Sequence, residues 1–268
     1  PPPPPPPPFF FQPQHGKRDP LWSRGLGDVY KRQAQDLASP WAFRNVLPHA
    51  WAFYEWRRRN AHENQPHKGY QIINEWFKKC EGFIHTTNTD GLHLMSGCDR
   101  NRILEVHGSM WRLQCLNTCT HQFWDDVSVP LCNLDSQTMR ASNFPSCIQC
   151  RGIARPHILM FGDGEYTGHP EQEINFKKFL QEPIDLAILV GSSGAVPTND
   201  YIALHLSKKG TVVININPDT SSNQIVNTDL FIEMKSKDAF VELNKIAFGD
   251  NIGSVSYTHL TLPTKRIV

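Results

Sequence analysis

Apolar residues recur along this chain at two different spacings. In HKGYQIINEWFKKC, Tyr70, Ile73, Phe77 and Cys80 fall three and four residues apart, which gathers them onto one face of an α-helix, and the preceding LPHAWAFYEWRRRN also reads as a helix. GFIHTT, IDLAILVGSS and TVVININPD are short apolar runs that end in small or polar residues, as buried strands do. Between the last two lies NDYIALHLSKKG, an amphipathic helix stopped by Gly210, and a final helix is predicted over Lys237 to Ala247 with Phe240, Val241, Leu243 and Ile246. Two apolar strands around one helix predict a right-handed parallel βαβ unit, so the body of the chain is expected to be α/β with parallel strands.

The ends break this pattern. Residues 1–8 are all proline, and GLGDVYKRQ before Ala34 and SVSYTHLTLPTKRIV at the end resemble translated library-adapter sequence. The expected organisation is therefore 1–33 non-native, 34–253 the folded body, and 254–268 a non-native tail. Setting the ends aside changes the charge: residues 1–33 hold five Lys/Arg against two Asp, the tail adds one Lys and one Arg, and the remainder carries −4 where the whole chain carries +1. A mildly acidic body without a basic stripe offers little to a phosphate backbone, so nucleic acid is not expected as a direct ligand. No apolar run approaches the roughly 18 residues that would cross a membrane. A soluble, intracellular protein is expected, cytoplasmic ahead of nuclear or mitochondrial.

Chemistry concentrates in two places. HTTNTDGLHLMSG follows the apolar pair Phe83-Ile84 and puts Asn88, Asp90 and His93 where a buried strand runs into a loop, the position at which open α/β sheets line their crevice. An Asx-type turn bonded only to backbone is the plainer reading of the same loop. Further on, CLNTC places Cys115 and Cys119 four apart and CIQC places Cys147 and Cys150 three apart. Two such knuckles brought together offer four thiolates to a structural zinc ion, and disulfides are rare inside cells. Cys132, between the knuckles, is the substitute ligand if one assignment fails, while Cys80 and Cys98 lack a partner at ligand spacing.

Taken in order, TTNTDGLH, LEVHGS, the paired knuckles, RPHILMFGD, VGSSGAVPT and VININP resemble the sirtuins, the NAD-dependent protein lysine deacylases, over about Leu37 to Ala247. The resemblance implies a parallel Rossmann-like sheet, incomplete at its amino terminus, with a smaller zinc-binding module inserted over about 108–154. It implies NAD and Zn as cofactors and an acyl-lysine protein or peptide as substrate, the acyl group passing to ADP-ribose with release of nicotinamide. His107 matches the general base, assisted by Asn88 and Asp90. Thr87, Asn88, Asp90, Gly191, Ser192, Ser193 and Asn217 fall on cofactor-binding positions, and Leu159 and Phe161 would flank the acyl-lysine. Thr87 departs from the family's glutamine, and its short side chain cannot offer an amide to the ribose. Asp163 stands where glutamate is common.

Tyr54 and Arg57 match the Y-x-x-R pair of the subgroup that prefers acidic acyl groups, although Arg57, Arg58 and Arg59 also read as a charge run on a solvated face. The family's glycine-rich G-A-G-x-S turn has no counterpart before Asp36, so the chain is expected to be a truncated sirtuin, itself inactive. An NAD-consuming ADP-ribosyltransferase or NAD hydrolase of the same fold, and a non-enzymatic zinc-ribbon module, remain the alternatives.

Overall fold

The structure is a computed structural model that describes residues 34–135, 137–220, 226–249 and 266–267. The expectations for 1–33 and for most of 254–268 lie outside the described residues. The chain divides into two units, one formed by residues up to Asn64 together with His107–Thr167, the other by Gln65–Val106 together with Gly168 onward. Among the described residues no helix is long and apolar enough to cross a membrane.

In the first unit, α1 (Pro40–Asn45) starts where the Ser39 side chain accepts a hydrogen bond from the Ala42 amide, and Pro40 supplies a pre-set φ at its first turn. The longer α2 (Leu47–Glu63) buries Trp51, Tyr54, Glu55 and Arg58, a helical stripe of three- and four-residue steps. It packs against the antiparallel hairpin of β6 (Asn133–Asp135) and β7 (Arg140–Ser142), and against β4 (Gly108–Cys115), the middle strand between β5 (Phe123–Asp125) and β8 (Ala154–Ile158). Phe43, Trp51, Tyr54, Met110, Leu113 and Ile158 share its core, and the Trp51 indole donates to the Ala154 carbonyl at 3.1 Å.

Two charges lie inside that stripe. Glu55 accepts from Arg59 at 2.6 Å and from the Leu131 amide at 3.1 Å, and Arg58 donates to the carbonyls of Met110, Asp126 and Ser128. The arginine run therefore splits: Arg58 is 0% exposed while Arg57 and Arg59 are half-buried. A charge run is solvated only where the helix turns it outward, and position 58 falls on the core stripe.

The second unit is the parallel sheet. Its strands run in the order β1 (Glu81–Gly82), β12 (Arg266–Ile267), β9 (Leu186–Val190), β10 (Val212–Ile216) and β11 (Leu230–Ile232), with β2 (Ile84–Thr86) and β3 (Ile103–Glu105) as a further parallel pair. Side chains alternate between its faces. Ala187 and Val213 pack with α5 (Pro170–Phe179) and α6 (Thr198–Ser207), whereas Ile188, Ile214 and Ile216 pack with α3 (Lys68–Trp76) and α7 (Ser236–Phe248). Trp76 ties the last two helices together, its indole donating to the Asn244 side chain at 2.9 Å. A short helix, α4 (Leu92–Met95), follows β2.

The sequence reading set the whole tail aside, yet two of its residues enter this sheet. Ile267 pairs with Gly82 and Leu186 and its carbonyl accepts from the Phe83 amide at 2.9 Å. Ile267 is apolar and packs with the cluster that holds Ile73 and Ile188, which accounts for its place.

Replacing Arg58 with Met is expected to destabilise the protein by about 3–5 kcal/mol, because the carbonyls of Met110, Asp126 and Ser128 lose their donor together and Glu55 keeps only Arg59 as a nearby cation. Urea unfolding measures it, and a loss below about 1 kcal/mol would mean that the guanidinium contributes no more than a surface charge.

Candidate functional site

A cleft of about 770 Å³ opens within the second unit, running along its parallel strands and reaching their carboxyl ends. Its apolar part is made by Ile73, Trp76, Phe83, Ile202 and Leu206, and its polar part includes Thr87, Asn88, Gly191, Ser192, Ser193 and Asn199. Five of the positions expected to bind the cofactor thus meet in one place, although they come from segments a hundred residues apart. The volume suits a drug-sized or nucleotide-sized ligand.

Apart from Asn199, which lies in the first turn of α6, these polar residues are delivered by strand ends. After β2, the Thr86 hydroxyl accepts from the Asn88 amide at 3.1 Å, and the Asp90 carboxylate accepts from the Leu92 amide at 3.1 Å. Turn chemistry is present, therefore, but Thr86 and Asp90 supply it, and the Asn88 side chain stays exposed in the cleft. Asp90 is not among the lining residues; it acts nearby, where it and, more strongly, burial push the Tyr70 phenol up to about 12. The Tyr70 ring packs between His67, tilted at 4.6 Å, and His93, edge-on at 4.7 Å, and burial pushes His93 down to about 4. His93 is thus a neutral imidazole packed against a ring.

After β9, Gly191 takes φ +63, which a side chain would resist, and the chain turns back. Ser192 then becomes a brace: its hydroxyl donates to the buried Asp200 carboxylate at 2.8 Å, and its carbonyl accepts from Asn217 at 2.8 Å. The Asn217 oxygen accepts in turn from the Asp219 amide at 3.0 Å. The polar atoms of Ser192 and Asn217 are engaged inside the unit, so their part in binding runs through the loop that they shape. Ser193 remains exposed. Asp200 and Asn199 were missed by sequence reasoning, because an Asx pair in the first turn of a helix ordinarily reads as capping.

In the first unit, His107 occupies the turn before β4, half-buried, with its carbonyl accepting from the Leu159 amide at 3.0 Å. The neighbouring Gly108 has φ +77, and a Cβ there would lie 2.1 Å from the His157 carbonyl oxygen. The close approach that the glycine permits is thus to the chain's own backbone. Leu159 and Phe161 are 39% and 54% exposed, in the segment that follows β8 rather than in a strand, and that segment is pinned by the amide of Phe161 donating to the Ala38 carbonyl. Asp163, whose shorter side chain departs from the family pattern, pairs with Arg155 at 2.7 Å, and both side chains are 0% exposed. Tyr54 is buried against Phe43 and Phe53, and burial pushes its phenol up to about 12. The Arg57 guanidinium lies 5.5 Å from the Phe53 ring.

The two cysteine knuckles also meet in this unit. Cys115 and Cys150 sulfurs are 3.7 Å apart, Cys119 and Cys147 are 3.6 Å apart, and all four lie within 4.8 Å of one another. Thiolates bound tetrahedrally at about 2.3 Å from a zinc ion would sit about 3.8 Å apart, so the donor set fits that ion. Cys132 is elsewhere, buried with its sulfur 3.8 Å from the Glu55 carboxylate and its thiol pushed up to about 12 by burial and then by that charge. Cys132 substitutes for none of the four.

The purified protein is expected to carry about one zinc per chain, and chelation should loosen the fold because structural zinc contributes folding free energy directly. Elemental analysis without zinc, or Cys115→Ser and Cys150→Ser proteins of unchanged stability, would overturn this.

The model of the Sir2 family matches residues 23–198. A protein of Leptospira interrogans serogroup Icterohaemorrhagiae serovar copenhageni, named NAD-dependent protein deacylase, is 28% identical over 222 residues, covering 82% of this chain and 83% of that protein. Among solved structures, a Sir2 homologue in complex with NAD aligns with a TM-score of 0.63 at 24% identity, over 79% of this chain and 76% of its own. A Sir2 protein bound to acetylated peptide aligns with a TM-score of 0.61 at 17% identity, over 80% and 84%. The family model spans well over half of the residues, its motifs fall on the strand ends that build the cleft, and the fold agrees: the chain belongs to the Sir2 family.

Proposed function

We propose that this chain is the catalytic part of an NAD-dependent protein lysine deacylase. The observation that carries the reading is the meeting of Thr87, Asn88, Gly191, Ser192 and Ser193 in one cleft at the carboxyl ends of parallel strands, in a member of the Sir2 family. When bound, NAD supplies a ribose carbon that accepts the acyl group of a modified lysine as nicotinamide leaves. Asn88, exposed in the cleft, is suited to hold a ribose hydroxyl. Gly191 and Ser193 would face the phosphates, on a loop held by Ser192, Asp200 and Asn217. The Asp90 carboxylate, accepting from the Leu92 amide, holds the turn after Asn88, and the apolar wall of Ile73, Trp76 and Phe83 would keep water from the reacting region.

His107 takes the role of general base at its imidazole nitrogen, removing a proton from a ribose hydroxyl. It directly follows Val106, whose amide donates to the Thr86 carbonyl at 3.0 Å. Leu159 and Phe161, exposed and apolar, would flank the lysine stem. The cysteine cluster holds zinc in a structural role, with all four donors belonging to the protein. In protein competent for turnover, His107→Ala should lower kcat by roughly two to four orders of magnitude with NAD binding kept. Turnover near that of the unsubstituted enzyme would make His107 a structural residue.

The finer substrate class rests on Tyr54 and Arg57. Tyr54 keeps its phenolic proton across the physiological range, and the Arg57 guanidinium is close enough to act on it electrostatically. A fixed O–H donor and a guanidinium fork together suit a carboxylate, so succinyl- or malonyl-lysine is the proposed substrate in preference to acetyl-lysine. Charge-assisted bonds of this kind discriminate by roughly ten- to a hundredfold. Arg57→Met should therefore erase most of the preference for succinyl- over acetyl-lysine peptides in kcat/KM, and an unchanged ratio would remove Arg57 from the substrate site.

A further inference from the structure

Position 87 carries a hydroxyl where the family carries an amide, and the cleft contains an amide that no sequence motif announced. Asn199, in the first turn of α6, does not cap its own helix. Its side chain crosses instead to the end of β2, over 112 residues of sequence, where its nitrogen lies 3.5 Å from the Thr87 hydroxyl. On its other side the amide oxygen faces the His85 Nδ1 at 2.8 Å. With the amide oxygen turned to His85, the ring presents its Nδ1–H to it and the amide nitrogen is the end that faces Thr87. The His85 ring is itself held against Phe176 at a centroid distance of 4.9 Å.

The Asn199 amide is thus oriented but not saturated. Its two N–H groups have one partner between them, Thr87 at the outer limit of hydrogen bonding, and the second N–H has none among the described residues. His85, Thr87, Asn88 and Asn199 all line the cleft. A half-buried amide held in place by a ring-packed histidine, with a spare donor beside Asn88, is a recognition group waiting for an oxygen.

We propose that Asn199 is a cofactor-binding residue: its carboxamide, positioned by His85, supplies from α6 the donor that the short side chain of Thr87 cannot, and gives it to a hydroxyl of the cofactor's ribose. This rests on the reading of the cleft as an NAD site. The amide then comes from the facing helix rather than from the strand end, 3.5 Å from the hydroxyl that stands at position 87.

The test is titration of the chain with NAD, followed by saturation-transfer NMR. Asn199→Asp keeps the size and the acceptor for His85 but removes both N–H donors, and it should weaken binding about fivefold or more, as should Asn199→Ala. Adding Thr87→Gln to Asn199→Ala returns an amide to the strand end and should restore binding to within about threefold. A purely structural asparagine would not be rescued from position 87. Binding by Asn199→Asp equal to that of the unsubstituted chain, with matching circular dichroism, overturns the inference and leaves the NAD reading intact, as does a Thr87→Gln/Asn199→Ala protein as weak as Asn199→Ala alone. Absence of NAD binding by the unsubstituted chain overturns both.

Discussion

The cleft depends on the pairing of β9 with β10, which runs in parallel register over all five residues from Leu186–Val212 to Val190–Ile216. That register ends both strands at the same level. It places the turn at Gly191 beside Asn217, so that one asparagine side chain can hold the Ser192 carbonyl and Asp200 can hold the Ser192 hydroxyl. A slip of one residue would exchange Ala187 with Ile188 between the two helix layers and separate these partners at the same time. The small residues of the loop could not line a binding surface without the strands that deliver them.

In the first unit the organising elements are charges. Glu55 and Arg58 sit on the inner stripe of α2, and between them they take up two backbone amides and three carbonyls of segments up to 77 residues away. Apolar side chains could fill the same volume, but they could not satisfy the carbonyls of Asp126 and Ser128 or the amides of Leu131 and Cys132, which lie outside the strands. The zinc knuckles grow from the ends of the strands that this interior supports, Cys115 closing β4 and Cys147 and Cys150 preceding β8.

Periodicity made much of this legible. The strand endings at Thr86, Val190 and Ile216, the helix stopped by Gly210 and the four zinc donors all follow from spacing and small residues, and the structure places them so. What was not legible has a common cause. Arg58 in a charge run, Asp200 under the serine loop, Asn199 opposite Thr87 and Arg155 beside Asp163 acquire their roles from partners eight or more residues away, in most cases on another element, and one-dimensional pattern cannot supply such pairings. Ile267 shows the opposite case, a residue discarded for its neighbours' composition and readmitted because its own side chain is apolar.

The Arg155–Asp163 pair carries an evolutionary consequence. Both side chains are sealed from solvent, so changing either one alone strands an opposite charge in the core, while changing both to matched apolar residues removes the penalty. Such a pair can be lost only through a poor intermediate. Lineages descended from this chain are expected to carry both residues or neither, and the aspartate at the end of RPHILMFGD is tied to the arginine at its start as firmly as if the two were one position.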